Sequence, residues 1–233
     1  MFERIKEDIA VIREKDPAAR SSLEVMLLYN GFKAVRAYRR AHWCFNHNMK
    51  FLARWISQRC VRKTNIEIHP GATIGRRLFI DHGTGVVIGE TTIIGDDCTI
   101  YQGVTLGGTG KDKGKRHPTL GDHVMVGSGA KVLGPITIGN NVRIAAGAVV
   151  LSNIPDDCTA VGVPARIVRR NGAKIVELDQ VHIPDPVAQE LCRLEYRIGQ
   201  LEQALADRGD AVTAAVPEKT AAPESDRESA ENS

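Results

Sequence analysis

The sequence predicts an α+β protein: an amino-terminal α-helical domain, a parallel β-helix of six-residue repeats, a carboxy-terminal helix and a disordered tail. Two observations carry this prediction. An aliphatic side chain returns every six residues through residues 66–170, and glycine usually follows it. A helical period of 3.6 residues cannot hold such a series on one face, whereas one short strand and one tight corner per unit can. Three units close a triangular coil, and stacked coils form a solenoid.

The repeat rests on aliphatic positions, which are Ile68, Ile74, Ile80, Ile88, Ile94, Ile100, Leu106, Leu120, Val126, Val132, Ile138, Ile144 and Val150. The glycines that follow such a position are Gly75, Gly89, Gly95, Gly107, Gly121, Gly127 and Gly139. We expect the aliphatic side chains to face the interior of a coil of about 18 residues. We expect the glycines to form its corners, because glycine tolerates backbone angles that other residues resist.

The start of the chain predicts a helix over residues 2–15. Its apolar face is formed by Phe2, Ile5, Ile9 and Ile12. Asp16-Pro17 ends this helix, because proline disfavours helical backbone in the residue before it. Apolar helical faces of this breadth usually pack on something, and a second subunit is a candidate.

A second helix is predicted by Ser21 and Glu24, which form the pattern of a capping box. This helix should run to about Tyr29, and Gly31 is expected to break it. The helical pattern then resumes in two stretches, 33–48 and 50–61.

Four regions follow from these patterns. We expect a helical, oligomerisation domain over 1–65, the β-helix over 66–170, a linker with an amphipathic helix over 171–208, and a disordered tail over 209–233. The amphipathic helix runs from about Pro186 to Asp207, and its apolar positions are Leu191, Leu194, Ile198, Leu201 and Leu205. Their spacing fits a short coiled-coil seam or a helix folded back on its own subunit. The tail has almost no large apolar residues, which is typical of disorder.

Composition excludes several classes of protein. The net charge is +3, too small for a nucleic-acid-binding protein, and residues 209–233 carry −4, which leaves about +7 on the rest by subtraction. No run of 18 apolar residues predicts a membrane span. The charged amino terminus lacks the apolar centre of a secretion signal. Five cysteines without a CxxC pair favour a reducing cytoplasm.

The repeat is interrupted at two places, and we expect chemistry at both. At the first, Asp81-His82 stands where a corner glycine would be. An imidazole is a base that works near neutral pH, so His82 can remove a proton from a hydroxyl or thiol. Asp81 and Glu67 are acids that could orient it or hold a substrate amine. Because three six-residue units make one coil, Glu67 should lie on the adjacent coil, three residues out of line with His82. A corner Asp-His pair bonded only to backbone remains the simpler alternative.

The second interruption is the insertion GGTGKDKGKRHPT, residues 107–119, which must leave the coil as an exposed loop. Arg116-His117 pairs a guanidinium with an imidazole, which suits a carboxylate. Its three lysines (111, 113 and 115) are interpreted as solubilising. The loop glycines Gly107, Gly108 and Gly110 allow backbone N–H groups to approach a ligand and to form an oxyanion hole.

A zinc site is the metal alternative. His82, His117 and His123 could supply three imidazoles with an open position, as in γ-class carbonic anhydrases, where the site lies between solenoid subunits. The long loop and the helical domain are not needed for hydrating carbon dioxide, so we do not predict a metal. The other histidines show no partner pattern.

Four segments together resemble the serine O-acetyltransferases, a family of hexapeptide-repeat acyltransferases: DPAARSSLEVMLLYNGFKAVRAYRRAHW, IEIHPGATIGRRLFIDHGTGVVIGET, QGVTLGGTGKDKGKRHPTLGD and GVPARIV. The resemblance covers about residues 3–200 and implies that the parallel β-helix of the hexapeptide-repeat solenoid is left-handed. It implies transfer of acetyl from acetyl-CoA to the hydroxyl of L-serine, which gives O-acetyl-L-serine for cysteine biosynthesis, without a metal. Transfer to another acceptor, such as a sugar, is the alternative enzyme; a trimeric scaffold is the non-enzymatic one.

The resemblance also implies site residues. His82 matches the general base and Glu67 the acid that orients it, where well-studied members have aspartate. Two acids for the amino group and a basic pair for the carboxylate match the residues that hold serine: Asp16, Asp81, Arg116 and His117. The surface for acetyl-CoA matches Gly108, Thr109, Ser128, Ala130, Arg143 and Ala146.

The resemblance further implies a homotrimer with sites in the clefts between subunits. The helical domain is shorter than in members that pair trimers, so trimer and dimer of trimers both stay open. Some members end in an isoleucine that inserts into O-acetylserine sulfhydrylase. This chain ends in Glu231-Asn232-Ser233, which disfavours that partner. The sequence does not indicate whether cysteine inhibits the protein.

Overall fold

A computed structural model of the chain describes residues 2–110, 113–170, 193–201 and 203. Contacts between residues divide the chain into two compact units, Met1–Gln189 and Glu190–Ser233. The first unit begins with four helices, α1 (Phe2–Lys15), α2 (Ser22–Leu28), α3 (Asn30–Asn46) and α4 (Lys50–Thr64). Short strands follow, and they confirm the predicted class of helices followed by a parallel β-solenoid.

The solenoid strands are β1 (Ile66–Ile68), β2 (Thr73–Ile74), β3 (Phe79–Ile80), β4 (Val86–Ile88), β5 (Ile93–Ile94), β6 (Thr99–Ile100), β7 (Thr105–Gly107), β8 (Thr119–Leu120), β9 (Met125–Val126), β10 (Lys131–Leu133), β11 (Thr137–Ile138), β12 (Arg143–Ile144), β13 (Val149–Val150), β14 (Cys158–Val161) and β15 (Arg166–Arg170). They form three sheets. Sheet 1 has the order β1-β4-β7-β10-β13, sheet 2 β11-β8-β5-β2 and sheet 3 β15-β14-β12-β9-β6-β3. All pairs are parallel except β14 with β15, which are antiparallel.

Chain order fixes what lies at each corner of this triangular coil. The corner from sheet 1 to sheet 2 carries the 107–119 insertion, and we call it the loop corner. The corner from sheet 2 to sheet 3 covers 75–78, 95–98, 121–124, 139–142 and 155–157, and we call it the ladder corner. The corner from sheet 3 to sheet 1 covers 81–85, 101–104, 127–130 and 145–148, and we call it the glycine corner. Sheet 1 therefore separates the glycine corner from the loop corner.

The Ser21 cap at the start of α2 is confirmed, whereas the Glu24 side chain bonds the residue before the cap and not the Ser21 N–H of a complete capping box. The Ser21 hydroxyl accepts a hydrogen bond from the Glu24 N–H at 3.1 Å, and the Glu24 carboxylate accepts one from the Arg20 N–H at 3.1 Å. The first contact satisfies an N–H group of the first helical turn that has no partner within the helix, and the second fixes the residue that precedes the cap. α1 ends at Lys15, directly before Asp16-Pro17, as predicted.

The predicted break at Gly31 is wrong. The break lies at Tyr29, whose φ of −76° and ψ of 113° are extended, and Gly31 lies inside α3. A Cβ at Gly31 would stand 2.2 Å from the Ile80 carbonyl oxygen. Gly31 therefore lets α3 approach the end of β3 rather than ending a helix.

The repeat's aliphatic side chains form the core of the solenoid, as predicted. Most of them are fully buried, including Ile88, Ile100 and Leu106, each at 0% exposure. The explanation given for the repeat glycines is wrong, however. At Gly75, Gly95 and Gly127 it is a Cβ that would be too close to the neighbouring coil, at 2.3–2.6 Å from its atoms. The residues with positive φ lie elsewhere in each corner.

The length of a coil also differs from the expected three equal units. Ile80 pairs with Ile100 and Val87 with Thr105, so the glycine corner after β3 holds two residues more than the corner after β6. The first coil is consequently two residues longer than expected, and Glu67 pairs with Val87. The second coil is longer still because it includes the loop, whereas the third keeps the expected spacing.

The second unit contains helical residues 193–201, which lie within the predicted helix at 186–207. Leu194, Ile198 and Leu201 are exposed in the single chain, at 47%, 53% and 59%. The predicted linker up to residue 185, the predicted helical residues 186–192 and the predicted tail from 209 lie outside the described residues. No described helix combines the length and the hydropathy that crossing a membrane requires.

Candidate active site

Two predicted acids and the predicted base lie together at the glycine corner. Burial raises the pKa of Asp81, the neighbouring His82 opposes this, and the negative charge of Asp16 raises the Asp81 pKa further. Asp16, directly after α1, therefore lies near Asp81, directly after β3. Two carboxylates at such a place suit a ligand ammonium group.

The two extra residues of this corner lift His82 away from the coil. Its φ is +54°, a left-handed conformation that is uncommon for a residue with a side chain. The His82 side chain is 77% exposed, and its Nε2 lies 4.0 Å from Oδ1 of Asp81. His82 is thus a base presented at the surface beside a half-buried acid.

Glu67 lies farther out of register with His82 than the sequence predicts. Because the first coil is longer than three equal units, Glu67 is five residues out of register with His82 rather than three. Its carboxylate instead accepts a hydrogen bond from the Gln58 amide at 3.4 Å and lies 3.9 Å from the Arg54 guanidinium, both on α4. Glu67, on the outer side of sheet 1, belongs with the charged groups of the loop corner.

Thr91 organises the predicted carboxylate-binding pair at the loop corner. Its hydroxyl oxygen accepts from the Arg116 N–H at 3.0 Å and from the His117 N–H at 3.1 Å. The Thr91 hydroxyl also lies 2.9 Å from His117 Nδ1, and the Thr91 N–H donates to the same nitrogen at 3.2 Å. Nδ1 of His117 is therefore the acceptor, and this network assigns the ring proton to Nε2.

Glu90 holds the other member of the pair. The Arg116 guanidinium donates to the Glu90 carboxylate, and this contact lowers the pKa of Glu90. Burial, followed by the positive charge of Arg116, lowers the pKa of His117. The pair thus presents a fixed cation and a neutral imidazole with an Nε2–H donor, which can bind a carboxylate. His69, interpreted from the sequence as ordinary, is close enough to this cluster for Arg54, Glu90 and Glu67 to influence its pKa, which burial lowers.

The residues predicted for acetyl-CoA fall on the same two corners. Ser128 and Ala146 lie at the glycine corner, where Ser128 is half-buried and Ala146 exposed, and Arg143 is mostly buried on β12 just before it. Gly108 and Thr109 lie at the loop corner. A Cβ at Gly108 would stand 3.0 Å from the Arg116 carbonyl oxygen, so glycine permits the close return of the loop.

Ala130, which is also among the residues predicted for acetyl-CoA, does not fit that prediction. It is fully buried in the solenoid core, and its N–H and carbonyl bond to Gly127 and Thr105 at 3.1 and 3.0 Å. Its methyl group packs the interior of the coil, so it does not contribute to the surface of this chain.

The three histidines of the zinc alternative lie on three different corners of one chain. His82 is at the glycine corner, His117 at the loop corner and His123 at the ladder corner. Across the described ranges, no group of three or more His, Cys, Asp or Glu side chains is arranged to hold a metal ion.

Three residues near these groups escaped the sequence interpretation: Tyr29, Glu90 and Thr91. The sequence predicts Tyr29 only as the end of a helix, although its hydroxyl contacts Asp16. Glu90 and Thr91 follow a repeat glycine directly, where an ordinary corner needs no charged residue. That local departure from the repeat was the signal that could have identified them.

Known proteins match the chain over most of its length. Residues 1–37 match the family described as "Serine acetyltransferase, N-terminal", and residues 117–152 match "Bacterial transferase hexapeptide (six repeats)". A serine acetyltransferase of Bacillus subtilis is 53% identical over 212 residues, which span 91% of this chain and 98% of that protein. The chain belongs to the serine acetyltransferase family.

Solved structures of this family share the fold. A serine acetyltransferase of Neisseria gonorrhoeae, crystallised in complex with serine, has a TM-score of 0.70 and 42% identity, over 72% of this chain and 69% of that one. The serine acetyltransferase of Brucella abortus strain S19, in complex with coenzyme A, has a TM-score of 0.72 and 41% identity, over 74% of this chain and 69% of that one.

Proposed function

We propose that this serine acetyltransferase family member transfers the acetyl group of acetyl-CoA to the hydroxyl of L-serine, giving O-acetyl-L-serine and CoA for cysteine biosynthesis. Membership of the family and the serine and coenzyme A complexes of the Neisseria and Brucella relatives support this activity. Acetyl-CoA is the co-substrate, and the reaction as proposed uses no metal.

The main support for the proposal is that Asp16 lies close to Asp81 and His82 of the glycine corner. Serine has an ammonium group one carbon away from the carbon that bears its hydroxyl. Two carboxylates beside a base match that arrangement, because the carboxylates would hold the ammonium group while the imidazole faces the hydroxyl. A sugar acceptor offers no ammonium group for the acids and no carboxylate for Arg116.

The chemical step follows from these placements. The neutral His82 imidazole takes the proton of the serine hydroxyl as its oxygen attacks the thioester carbonyl carbon. The tetrahedral intermediate carries its negative charge on the former carbonyl oxygen, which backbone donors near Gly108 would stabilise. Its collapse breaks the C–S bond, and the His82 imidazolium returns the proton to the departing thiolate. A positioned base typically contributes ~10²–10⁴ in rate.

The complete site needs two chains. Asp16, Asp81 and His82 lie at the glycine corner, whereas Arg116 and His117 lie at the loop corner beyond sheet 1. In a homotrimer, the glycine corner of one subunit would face the loop corner of the next. The Glu67 carboxylate would then orient the His82 of a neighbouring subunit, and serine would lie between the two corners.

The coenzyme would lie along the same cleft. Ser128, Ala146 and Arg143 would border it from the glycine corner, and Gly108 and Thr109 from the loop corner of the neighbouring subunit. We assign residues 66–170, together with Asp16, to catalysis and the helices of residues 1–65 also to assembly, where α4 leaves Phe51 87% exposed. Trimer and dimer of trimers are both compatible with this arrangement. The complex with O-acetylserine sulfhydrylase is not part of the proposal, and the cytoplasm remains the proposed location.

Thiol release from acetyl-CoA tests the function directly. Purified protein is assayed with L-serine, L-homoserine, galactose or no acceptor, each with and without EDTA. We expect serine-dependent release that survives chelation. Release with galactose but not with serine would show that the acceptor is a sugar. Loss of activity with EDTA would favour the zinc site. No release with any acceptor would favour a scaffold.

A further inference from the structure

Asp16 is held on both of its carboxylate oxygens before any ligand binds. Its Oδ1 accepts a hydrogen bond from the Ala18 N–H at 2.8 Å, and its Oδ2 accepts one from the Tyr29 hydroxyl at 2.7 Å. Each oxygen keeps a further lone pair, so the carboxylate can still accept from an ammonium group. Its orientation is therefore set within the chain.

Tyr29 reaches Asp16 because of where the helices break. It is the only residue between α2 and α3, with extended backbone, and so its ring leaves the helical path. The ring packs against the cluster formed by Val11, Ile12, Val25, Phe32 and Phe79. The hydroxyl thereby links the turn after α1 to the junction of α2 and α3.

The electrostatics of the corner keep this hydroxyl protonated. Burial and the hydrogen bond to Asp16 raise the pKa of Tyr29 to about 12, and the charge of Asp81 adds to the effect. Tyr29 therefore donates throughout the working range of an enzyme. Since Asp81 and Asp16 repel each other, a donor on Asp16 also favours keeping its carboxylate in place beside Asp81.

We propose that Tyr29 is a positioning residue for the substrate ammonium group, acting through Asp16. This rests on the proposed function, in which Asp16 and Asp81 hold the amino group of serine. Tyr29 does not contact the reacting atoms. It fixes the Asp16 carboxylate in the direction that the ammonium group requires, so that binding does not have to immobilise a free side chain.

The test is Tyr29→Phe, which removes the hydroxyl and keeps the packed ring. We expect the KM for serine to rise roughly tenfold, the effect of losing one hydrogen bond to a charged group. The kcat and the KM for acetyl-CoA should stay within about twofold, because binding of the acetyl donor does not involve Asp16. A change confined to the serine KM distinguishes positioning from general loosening of the fold.

Tyr38→Phe is the matched control. The Tyr38 hydroxyl donates to the Ala72 carbonyl oxygen at 2.6 Å, which joins α3 to the first coil away from Asp16. This variant loses the same kind of group, so its melting temperature should fall while its serine KM stays unchanged. Protection against thermal unfolding by serine, measured on both variants, gives a second readout that needs no turnover.

A double-mutant cycle with Asp16→Ala separates the possible failures. If Tyr29 acts through Asp16, Tyr29→Phe has no further effect on the serine KM once Asp16 is alanine. A serine KM that rises in Asp16→Ala but not in Tyr29→Phe would overturn this inference and leave the proposed function standing. An unchanged serine KM in both single variants would remove Asp16 from the proposed site as well. A Tyr29→Phe effect of full size in the Asp16→Ala background would also overturn the inference.

Discussion

The glycine corner and the ladder corner satisfy the same backbone requirement with different residues. Each coil needs a left-handed residue at both. The glycine corner supplies Gly85, Gly103, Gly129 and Gly147, with φ of 69–75°. The ladder corner supplies Arg77, Asp97, His123, Asn141 and Asp157, with φ of 55–58°. Side chains at left-handed positions cost stability, and so their presence at one corner requires a compensating contact there.

Side chains at the ladder corner supply that contact. Asp96, Asp122, Asn140 and Asp156 each accept, through Oδ1, the backbone N–H of a residue one coil earlier at 2.6–2.8 Å. α1 packs along the same corner, where Arg77 bonds Glu14 at 2.8 Å. The ladder corner is thus occupied by the protein's own side chains.

The glycine corner is left open. A Cβ at Gly129 or Gly147 would have no atom within 4 Å. At these two positions the neighbouring coils do not require glycine, because a side chain would project into open space. The left-handed backbone conformation is the same at the ladder corner and at the glycine corner. The choice of residue at a solenoid corner therefore reflects what the surface must accommodate.

The largest expected effect is a difference in activity between substitutions of His82, at the glycine corner, and of His123, at the ladder corner. His82→Asn and His123→Asn both place asparagine, which tolerates left-handed backbone, where φ is +54° and +56°. We expect His82→Asn to lose ~10²–10⁴ in kcat, as for removal of a general base. His123→Asn should retain activity. Steady-state thiol release measures both, and comparable loss in the two variants would contradict the division between corners.

The next largest expected effect is a difference in thermal stability between substitutions at two glycines of the glycine corner. Gly127→Val places a Cβ 2.6 Å from the Ala146 nitrogen, a backbone atom that cannot move away alone. Overpacking of this kind costs about 1–3 kcal/mol or more, so the melting temperature should fall clearly. Gly129→Ala meets only the left-handed penalty of about 1 kcal/mol. Thermal unfolding that ranks Gly129→Ala below Gly127→Val would refute the packing explanation for the repeat glycines.

A smaller effect is expected from the ladder itself. Asp122→Ala removes the acceptor that lies 2.7 Å from the Asp96 N–H. Loss of one such hydrogen bond at an exposed corner should lower the free energy of unfolding by about 1 kcal/mol. The serine and acetyl-CoA KM values should not change. A denaturant titration measures the stability change, and an altered KM would show that the ladder corner also contributes to the site.

The smallest expected effect on stability is a stabilisation, whereas the Gly127, Gly129 and Asp122 variants are expected to be destabilised. Burial raises the pKa of Asp81 above its ordinary value of 3.8, so the folded chain binds this proton more tightly than the unfolded chain. Stability from this group therefore falls as pH rises through the raised pKa, and it stays lower at neutral pH. Asp81→Asn should raise the melting temperature slightly at pH 7 and not below about pH 3.8, while the serine KM increases. A melting temperature that falls at pH 7 would contradict the burial cost.

The sequence predicted the solenoid because each six-residue unit repeats the same packing problem. Ile88, Ile100 and Leu106 could be placed in the core from spacing alone. The two extra residues after β3 could not be counted, because an interruption in a repeat does not show how the flanking strands pair. Glu67 was misplaced for that reason, and its contacts with Gln58 and Arg54 depend on how α4 packs, which no local pattern indicates.

The candidate site was predictable where chemistry departs from the repeat. Asp81, His82, Arg116 and His117 stand out because an ordinary corner has no use for them. Thr91 and Tyr29 did not, since threonine and tyrosine are common in such positions and their importance depends on a partner far along the chain, 26 and 13 residues away.

Sheet 1 lies between the glycine corner and the loop corner, and this has a consequence for mixed populations of chains. If each site takes its base from one copy and its carboxylate clamp from the next, a copy with a defective base impairs only the sites to which it supplies that base. A population that mixes base-defective with clamp-defective copies would then regain some intact sites, although each defective chain alone forms none. Inheritance of two different faults would in this case be milder than inheritance of one fault twice.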